Sequence, residues 1–296
     1  MSSRFHRRRF LAQAASAAAV GMTLPMLASS SLASASRLSA ASRDDDPFLG
    51  WPIGAQSYSL RAFDLPQAAR HLQGLGLHYV ELFSAHLPLE AEGESLAAIM
   101  EILSNADIEL RAHGVSGFNA DHEGNRKVFE FAKRAGIKTI TANPEPNSFE
   151  SLDKLCEEYG VRVAIHNHGP GALYDSIDSV VDAVKDHHPL IGACVDTGHF
   201  IRSKEDPVEA VRRLSGRVFA LHVKDEEKQE ANSQNVIIGS GHLDLVGLFK
   251  ALKEVEFPHD GALSLEYEAK PENPIDDMRQ CLEAAKEALS EVGQFG

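Results

Sequence analysis

The 296-residue chain has few cysteines, no excess of base and no long apolar span, and each shortage removes a class of protein. Cys156, Cys194 and Cys281 are odd in number and far apart, with no Cys-x-x-Cys among them. That spacing offers no thiolate zinc site and argues against a disulfide frame, so the three are read as small buried hydrophobes. Lys and Arg number 29 against 43 Asp and Glu, a formal charge of −14. So acidic a surface disfavours phosphate-coated partners, and nucleic acid is not expected to bind. The apolar run near the N-terminus falls short of the roughly 20 strongly apolar residues that span a bilayer.

That N-terminal run instead has the form of an export signal. Arg7-Arg8-Arg9-Phe10-Leu11 precedes an Ala-rich stretch to about Leu27, then Ala33-Ser34-Ala35, a small-x-small cleavage pattern. Residues 1–35 are expected to be a twin-arginine signal, 36–50 a Ser/Asp-rich linker, and 51–296 one domain. The product is expected to be periplasmic or otherwise exported, with no stable membrane insertion after signal removal. Cleavage would leave 25 bases against 43 acids, a charge of −18. Because the twin-arginine route carries folded proteins, it suits a chain that loads a metal before export.

From Trp51 onward, short β-branched runs alternate with longer helical patterns. Strands are expected at 53–57, 79–83, 109–113, 139–143, 162–166, 192–196, 219–223 and 263–267. Helical spacing marks 95–106, 123–135, 148–159, 176–187, 206–214 and 243–255, with a last helix at 274–292. Gly136, Gly160 and Gly261 fall where left-handed helix caps are expected. Eight β-then-α units predict an α/β fold, the (β/α)8 TIM barrel. An open doubly wound sheet is disfavoured, since no Gly-x-Gly-x-x-Gly follows the first strand.

The chemistry sits at the strand ends. Side chains alternate faces along a strand, so residues two apart share a face. Ala164, His166 and His168 form one such set, as do Gly192, Cys194 and Asp196; Ala220 and His222; and Ala262, Ser264 and Glu266. The small members mark the barrel interior, which puts His166, Asp196, His222 and Glu266 inward at its C-terminal mouth, where barrel enzymes collect their catalytic groups. This N/O donor set suits one divalent ion, Mn²⁺, Co²⁺, Zn²⁺ or Fe²⁺. Glu81, His113 and Asn143 end the second, third and fourth strands, and His199 lies three residues past Asp196. Glu81 is read as a general base, an acceptor for a substrate hydroxyl, or an acceptor behind a ligand. His113, Asn143 and His168 are substrate-binding candidates; Glu266, Glu81, His199 and Lys224 are catalytic ones. Lys224 and Asp225 are read as an ion pair closing the rim, or as an electrophile and its orienter.

At these residues the chain resembles the xylose isomerase-like barrel superfamily of sugar-phosphate isomerases and epimerases. The matching pieces are Tyr79-Val80-Glu81-Leu82, Asp196-Thr197-Gly198-His199, Leu221-His222-Val223-Lys224-Asp225, Gly239-Ser240-Gly241 with Asp244, and Leu265-Glu266-Tyr267-Glu268. In that superfamily's epimerases, Glu, Asp, His and Glu from the fifth to eighth strands hold the metal and the two Glu move the proton. The resemblance implies ligand roles for Asp196, His222 and Glu266, while His166 stands where those enzymes carry Glu. A His-rich fifth strand is similar to inosose dehydratase and to lyases acting on 3-keto-glycosides. The superfamily's DNA-repair endonucleases share Asp196-x-x-His199 and His113, but they need an Asp-x-His after the seventh strand, where Asp225-Glu226-Glu227-Lys228 stands. The resemblance implies a metal-dependent isomerase or epimerase enolising a small keto sugar or polyol, and the scarcity of Arg and Lys at the strand ends, with export, favours an unphosphorylated one. A lyase or dehydratase is the alternative, and a non-catalytic sugar-binding barrel the reading of another class. Assembly into a homo-oligomer is compatible with all three.

Overall fold

A computed structural model describes residues 46–296, and the segment expected to be a twin-arginine signal and most of the expected linker lie outside the described residues. The packed domain begins inside the stretch read as linker. Asp46 accepts from the backbone N–H of Phe48 at 2.9 Å and of Gly50 at 2.8 Å, and Phe48 is buried in the core.

Eight parallel strands close into a barrel: β1 (Ile53–Gln56), β2 (Tyr79–Leu82), β3 (Glu109–Phe118), β4 (Thr139–Pro144), β5 (Arg162–His166), β6 (Ile191–Asp196), β7 (Val218–Val223) and, after an inserted hairpin, β10 (Ala262–Leu265). The hairpin, β8 (Asp225–Glu226) and β9 (Asn235–Val236), is antiparallel and stands apart from the barrel. Around it run α1 (Leu65–Gly74), α2 (Gly93–Asn105), α3 (His122–Ala135), α4 (Phe149–Tyr159), α5 (Ile177–Val184), α6 (Thr197–Arg202), α7 (Pro207–Arg213), α8 (Leu245–Glu254) and α9 (Ile275–Val292). Most of the strand and helix bounds agree with the sequence pattern to within about two residues. Neither the hairpin nor the short α6 was evident in it.

Two apolar layers hold this arrangement. Between strands and helices lie Val163, Ile165, Leu221, Val223, Leu263 and Leu265, the outward members of the alternation. Each such buried side chain contributes roughly 1.5–3 kcal/mol. Inside the barrel sit Ala112, Ala164, Cys194, Ala220 and Ala262 with one ring, Phe219. Small residues dominate there because eight strands enclose little more than the width of their own side chains. Strict alternation would turn Phe219 outward, but the β6–β7 ladder shifts register between Ala193 and Cys194. Gly192 makes room for the ring: a Cβ there would lie 2.5 Å from Phe219 Cε2.

The helices start on acid caps. Asp64, Asp206 and Asp244 accept from Gln67, Val208 and Gly247 backbone N–H groups at 2.8, 2.9 and 2.8 Å, worth about 1 kcal/mol each. Gly136 and Gly160 end α3 and α4 in the left-handed conformation, as expected. Gly261 does not adopt that conformation. Glu256 takes the positive φ after α8, and Gly261 is required because a Cβ would meet the Phe257 ring at 2.5 Å. All three cysteines are buried free thiols, and burial pushes Cys156 and Cys194 up to about 12 and Cys281 to about 11. Among the described residues, no helix is long and apolar enough to cross a membrane.

Candidate metal centre

The barrel register explains why the four strand-end residues meet. Asp196 pairs with His222, and His222 with Ser264, so β6, β7 and β10 present one layer of side chains. Glu266 follows two residues beyond Ser264 on the same face, and its N–H bonds to Val223 O at 3.1 Å. His166 closes the group from the end of β5. His166, Asp196, His222 and Glu266 each bring a ligand atom within 4.8 Å of the others, and all four are buried.

His166 Nε2 lies 2.9 Å from His222 Nδ1 and 3.3 Å from Asp196 Oδ2. His222 Nδ1 lies 3.3 Å from Glu266 Oε2 and 3.9 Å from Asp196 Oδ2. Ligands about 2.0–2.3 Å from a shared ion stand roughly 3–3.5 Å apart, so these edges are of the size a single ion requires. Asp196 Oδ2 is the stronger indication. It is fully buried and makes no hydrogen bond of good geometry, although Lys224 Nζ is 3.1 Å away. With no aligned hydrogen on it, this oxygen keeps lone pairs that an ion could take up beside the ammonium.

Two of the donors, Asp196 and His222, are oriented from behind. Asn167 bonds both backbone groups of Asp196, donating to its O at 3.0 Å and accepting from its N at 2.8 Å. Asp196 Oδ1 is occupied by the His199 N–H at 2.7 Å, where the carboxylate caps α6 and leaves Oδ2 to the site. His222 donates from Nε2 to Glu81 Oε2 at 2.9 Å, which directs Nδ1 toward the other donors. Glu81 is itself fixed by Thr141 Oγ1 at 2.5 Å and is fully buried. Burial pushes the Asp196 carboxyl up, but His199, Lys224 and His166 more than offset this and hold it well below the usual range. Glu266 is likewise held low against burial, by Lys224 and His222.

Lys224 does not pair with Asp225. It shares the inward face with His222, and its ammonium, 2% exposed, lies 2.8 Å from Glu266 Oε2 and donates to Glu268. Asp225 points the other way and accepts from five backbone N–H groups, those of Glu226, Gly239, Gly241, His242 and Leu243, all at 2.8–2.9 Å. The expected rim ion pair is therefore replaced by two separate devices, an ammonium inside the site and a carboxylate that staples the hairpin segment.

His113 is also turned away from the mouth. A register shift between Val80 and Glu81 places Ala112 inside the barrel, so the imidazole packs on Phe131 and bonds to Leu87 O at 2.8 Å. Asn143 lies exposed near the end of β4. His168 and His199 stack at 5.3 Å and border His166 at 4.5 and 5.7 Å. Burial, helped by His166, pushes His168 down to about 4; burial takes His199 to about 3 against the pull of Asp196. Both rings are neutral at ordinary pH. Sequence reasoning assigned no role to Thr141, Asn167 or Glu268, although Glu268 continues the alternation of Ala262, Ser264 and Glu266. A cavity of about 140 Å³ lined by Arg162, Val218, Phe219 and Pro258 holds none of these groups.

The model of the xylose isomerase-like TIM barrel family matches residues 69–288, and the chain belongs to that family. An inosose dehydratase from Clostridium botulinum is 26% identical over 149 residues, 44% of this chain and 49% of that protein. The chain thus spans about half the length of the curated relatives it matches. Among solved structures, an uncharacterized protein from Parabacteroides distasonis is 29% identical with a TM-score of 0.62, covering 82% of this chain and all of that one. The IolI protein, solved with a bound zinc atom, shares the fold at 19% identity and a TM-score of 0.67, covering 81% of this chain and 98% of that one.

Proposed function

We propose that the chain is a metal-dependent enzyme that removes a proton beside the carbonyl of a keto sugar or polyol and then expels a β-hydroxyl, a dehydratase-type lyase. The observation that carries this reading is the convergence of His166, Asp196, His222 and Glu266 around the unbonded Asp196 Oδ2. His166, Asp196, His222 and Glu266 would hold a divalent ion, which would supply Lewis-acid chemistry at a substrate carbonyl. His168 and His199 are neutral imidazoles at the site's edge, placed to hydrogen-bond the hydroxyls of a substrate. Lys224 keeps a positive charge beside Asp196 and Glu266, which favours the negative charge that develops on substrate oxygen.

The similarity to inosose dehydratases supports elimination. So does the position of Glu81: sealed beneath His222, it cannot serve as the second base that epimerisation on both faces of a carbon needs. Isomerisation on one face is the second reading, since the same four-residue cluster would serve that enolisation equally and the two reactions differ only in whether the proton returns to the adjacent carbon. Export by the twin-arginine route belongs to the same proposal, resting on Arg7-Arg8-Arg9 and Ala33-Ser34-Ala35; Edman sequencing of the mature protein beginning at Ser36 would support it.

The reaction is tested by incubating the metal-loaded protein in D₂O with keto polyols, keto sugars and 3-keto-glycosides. Loss of water or of an aglycone indicates the lyase, and deuterium incorporation without cleavage indicates the isomerase. Binding of these compounds without exchange or cleavage would leave a sugar-binding barrel in place of an enzyme.

A further inference from the structure

The Lys224 ammonium lies among three carboxylates that a metal ion also needs or feels. It is 3.1 Å from Asp196 Oδ2 and 2.8 Å from Glu266 Oε2, two of the candidate ligand atoms, and it also donates to Glu268, which lies outside the ligand set. Glu268 in turn is fixed from two sides. Its backbone N–H bonds to Asn235 Oδ1 at 2.9 Å, and its backbone O accepts from Arg61 at 2.8 Å. Lys224 is nearly sealed from water, whereas the Glu268 side chain is 35% exposed.

Building on the metal reading above, we propose that Lys224 and Glu268 form a charge-balancing pair that sets the affinity of the centre for its divalent ion. A fixed positive charge beside two ligand carboxylates opposes the arrival of a second positive charge, and does so strongly where water is excluded. Glu268 offsets that opposition by holding the ammonium through a hydrogen bond outside the ligand set. The pair therefore acts with opposite signs: the lysine weakens metal binding and the glutamate restores it. Such a balance also keeps the three carboxylates from standing unopposed in a buried site.

The test is a metal-affinity measurement, independent of turnover, on the full-length protein after chelation. Zn²⁺ and Mn²⁺ are titrated against a chromophoric competitor and by calorimetry. Lys224→Met is expected to bind both ions tighter than wild type by about ten-fold or more, and Glu268→Gln weaker by about ten-fold, within the range that outer-sphere partners exert. In the double variant the Glu268→Gln loss should disappear, because the charge it balanced is gone. Unchanged or weaker binding by Lys224→Met overturns the proposal. If that variant does not fold, Glu268→Gln decides: binding as tight as wild type overturns it, and a loss that persists undiminished in a Lys224→Arg background supports it. A wild-type protein that binds neither ion overturns the metal reading itself and this proposal with it, whereas wild-type binding with unmoved variants overturns only the pair.

Discussion

His222 gives its Nε2 hydrogen to Glu81 at 2.9 Å, and that one bond decides which ring nitrogen faces Asp196 and Glu266. Glu81 is therefore a positioning residue whose effect is felt through the imidazole. Glu81→Gln is expected to lower metal affinity by about ten-fold while leaving most turnover at saturating metal. Calorimetry paired with steady-state rates separates this from a base role, which would abolish turnover and leave affinity untouched.

His166 supplies the nitrogen donor from β5, and its Nδ1 is buried without a partner. His166→Gln keeps a polar side chain of similar size but loses the imidazole donor. Its metal affinity is expected to fall by more than the roughly 10–100-fold that outer-sphere changes cost. A variant that retained wild-type affinity by competition titration would remove His166 from the ligand set.

Asp225 gathers five backbone N–H groups, of which only that of His242 has a second acceptor, Glu226 O at 3.2 Å. Asp225→Ala is expected to cost on the order of 3 kcal/mol, since part of the segment re-solvates and the rest is left unsatisfied. For a domain of this size that corresponds to a melting temperature lower by roughly 6–12 °C. Limited proteolysis should open new cleavage between residues 226 and 242, and an unchanged digestion pattern would contradict the staple.

Four imidazoles are held below their ordinary pKa, chiefly by burial: His86, His113, His168 and His199. Below pH 6.5 the unfolded chain takes up protons on these residues that the folded chain refuses, so stability falls as pH falls. The window runs from about 6.5 toward the folded values, near 4 for His168 and 3 for His199. His222, held above its ordinary value, is protonated in both states across that window and adds nothing there. Urea midpoints of chelated protein should drop steadily between pH 6.5 and 4.5; a flat profile would show these rings to be accessible.

Much of this centre was legible in the chain because a strand encodes its two faces at a fixed period. His166, Asp196, His222 and Glu266 each follow small residues at two-residue spacing, and that parity carries them inward together. His113 escaped the rule because the β2–β3 ladder slips at Val80/Glu81, a shift with no mark in the sequence. For Lys224 and Asp225 the rule held and the adjacency misled. Neighbours on an extended chain face opposite ways, so Lys224 follows His222 inward while Asp225 turns to the hairpin. Thr141 and Asn167 were invisible for a different reason, since their roles lie in bonds to other strands.

The hairpin after β7 has pinned ends and an open tip. Asp225 and Asn235 hold its base, Asn235 reaching Asp225 O at 2.9 Å and the Glu268 N–H on the far side, while residues 227–232 are exposed. The lip of the mouth can therefore be rewritten without moving the candidate ligands beneath it. Libraries confined to those six positions should alter which molecules enter while the melting curve and metal content stay those of the parent, making this short arc the natural starting point for changing substrate range.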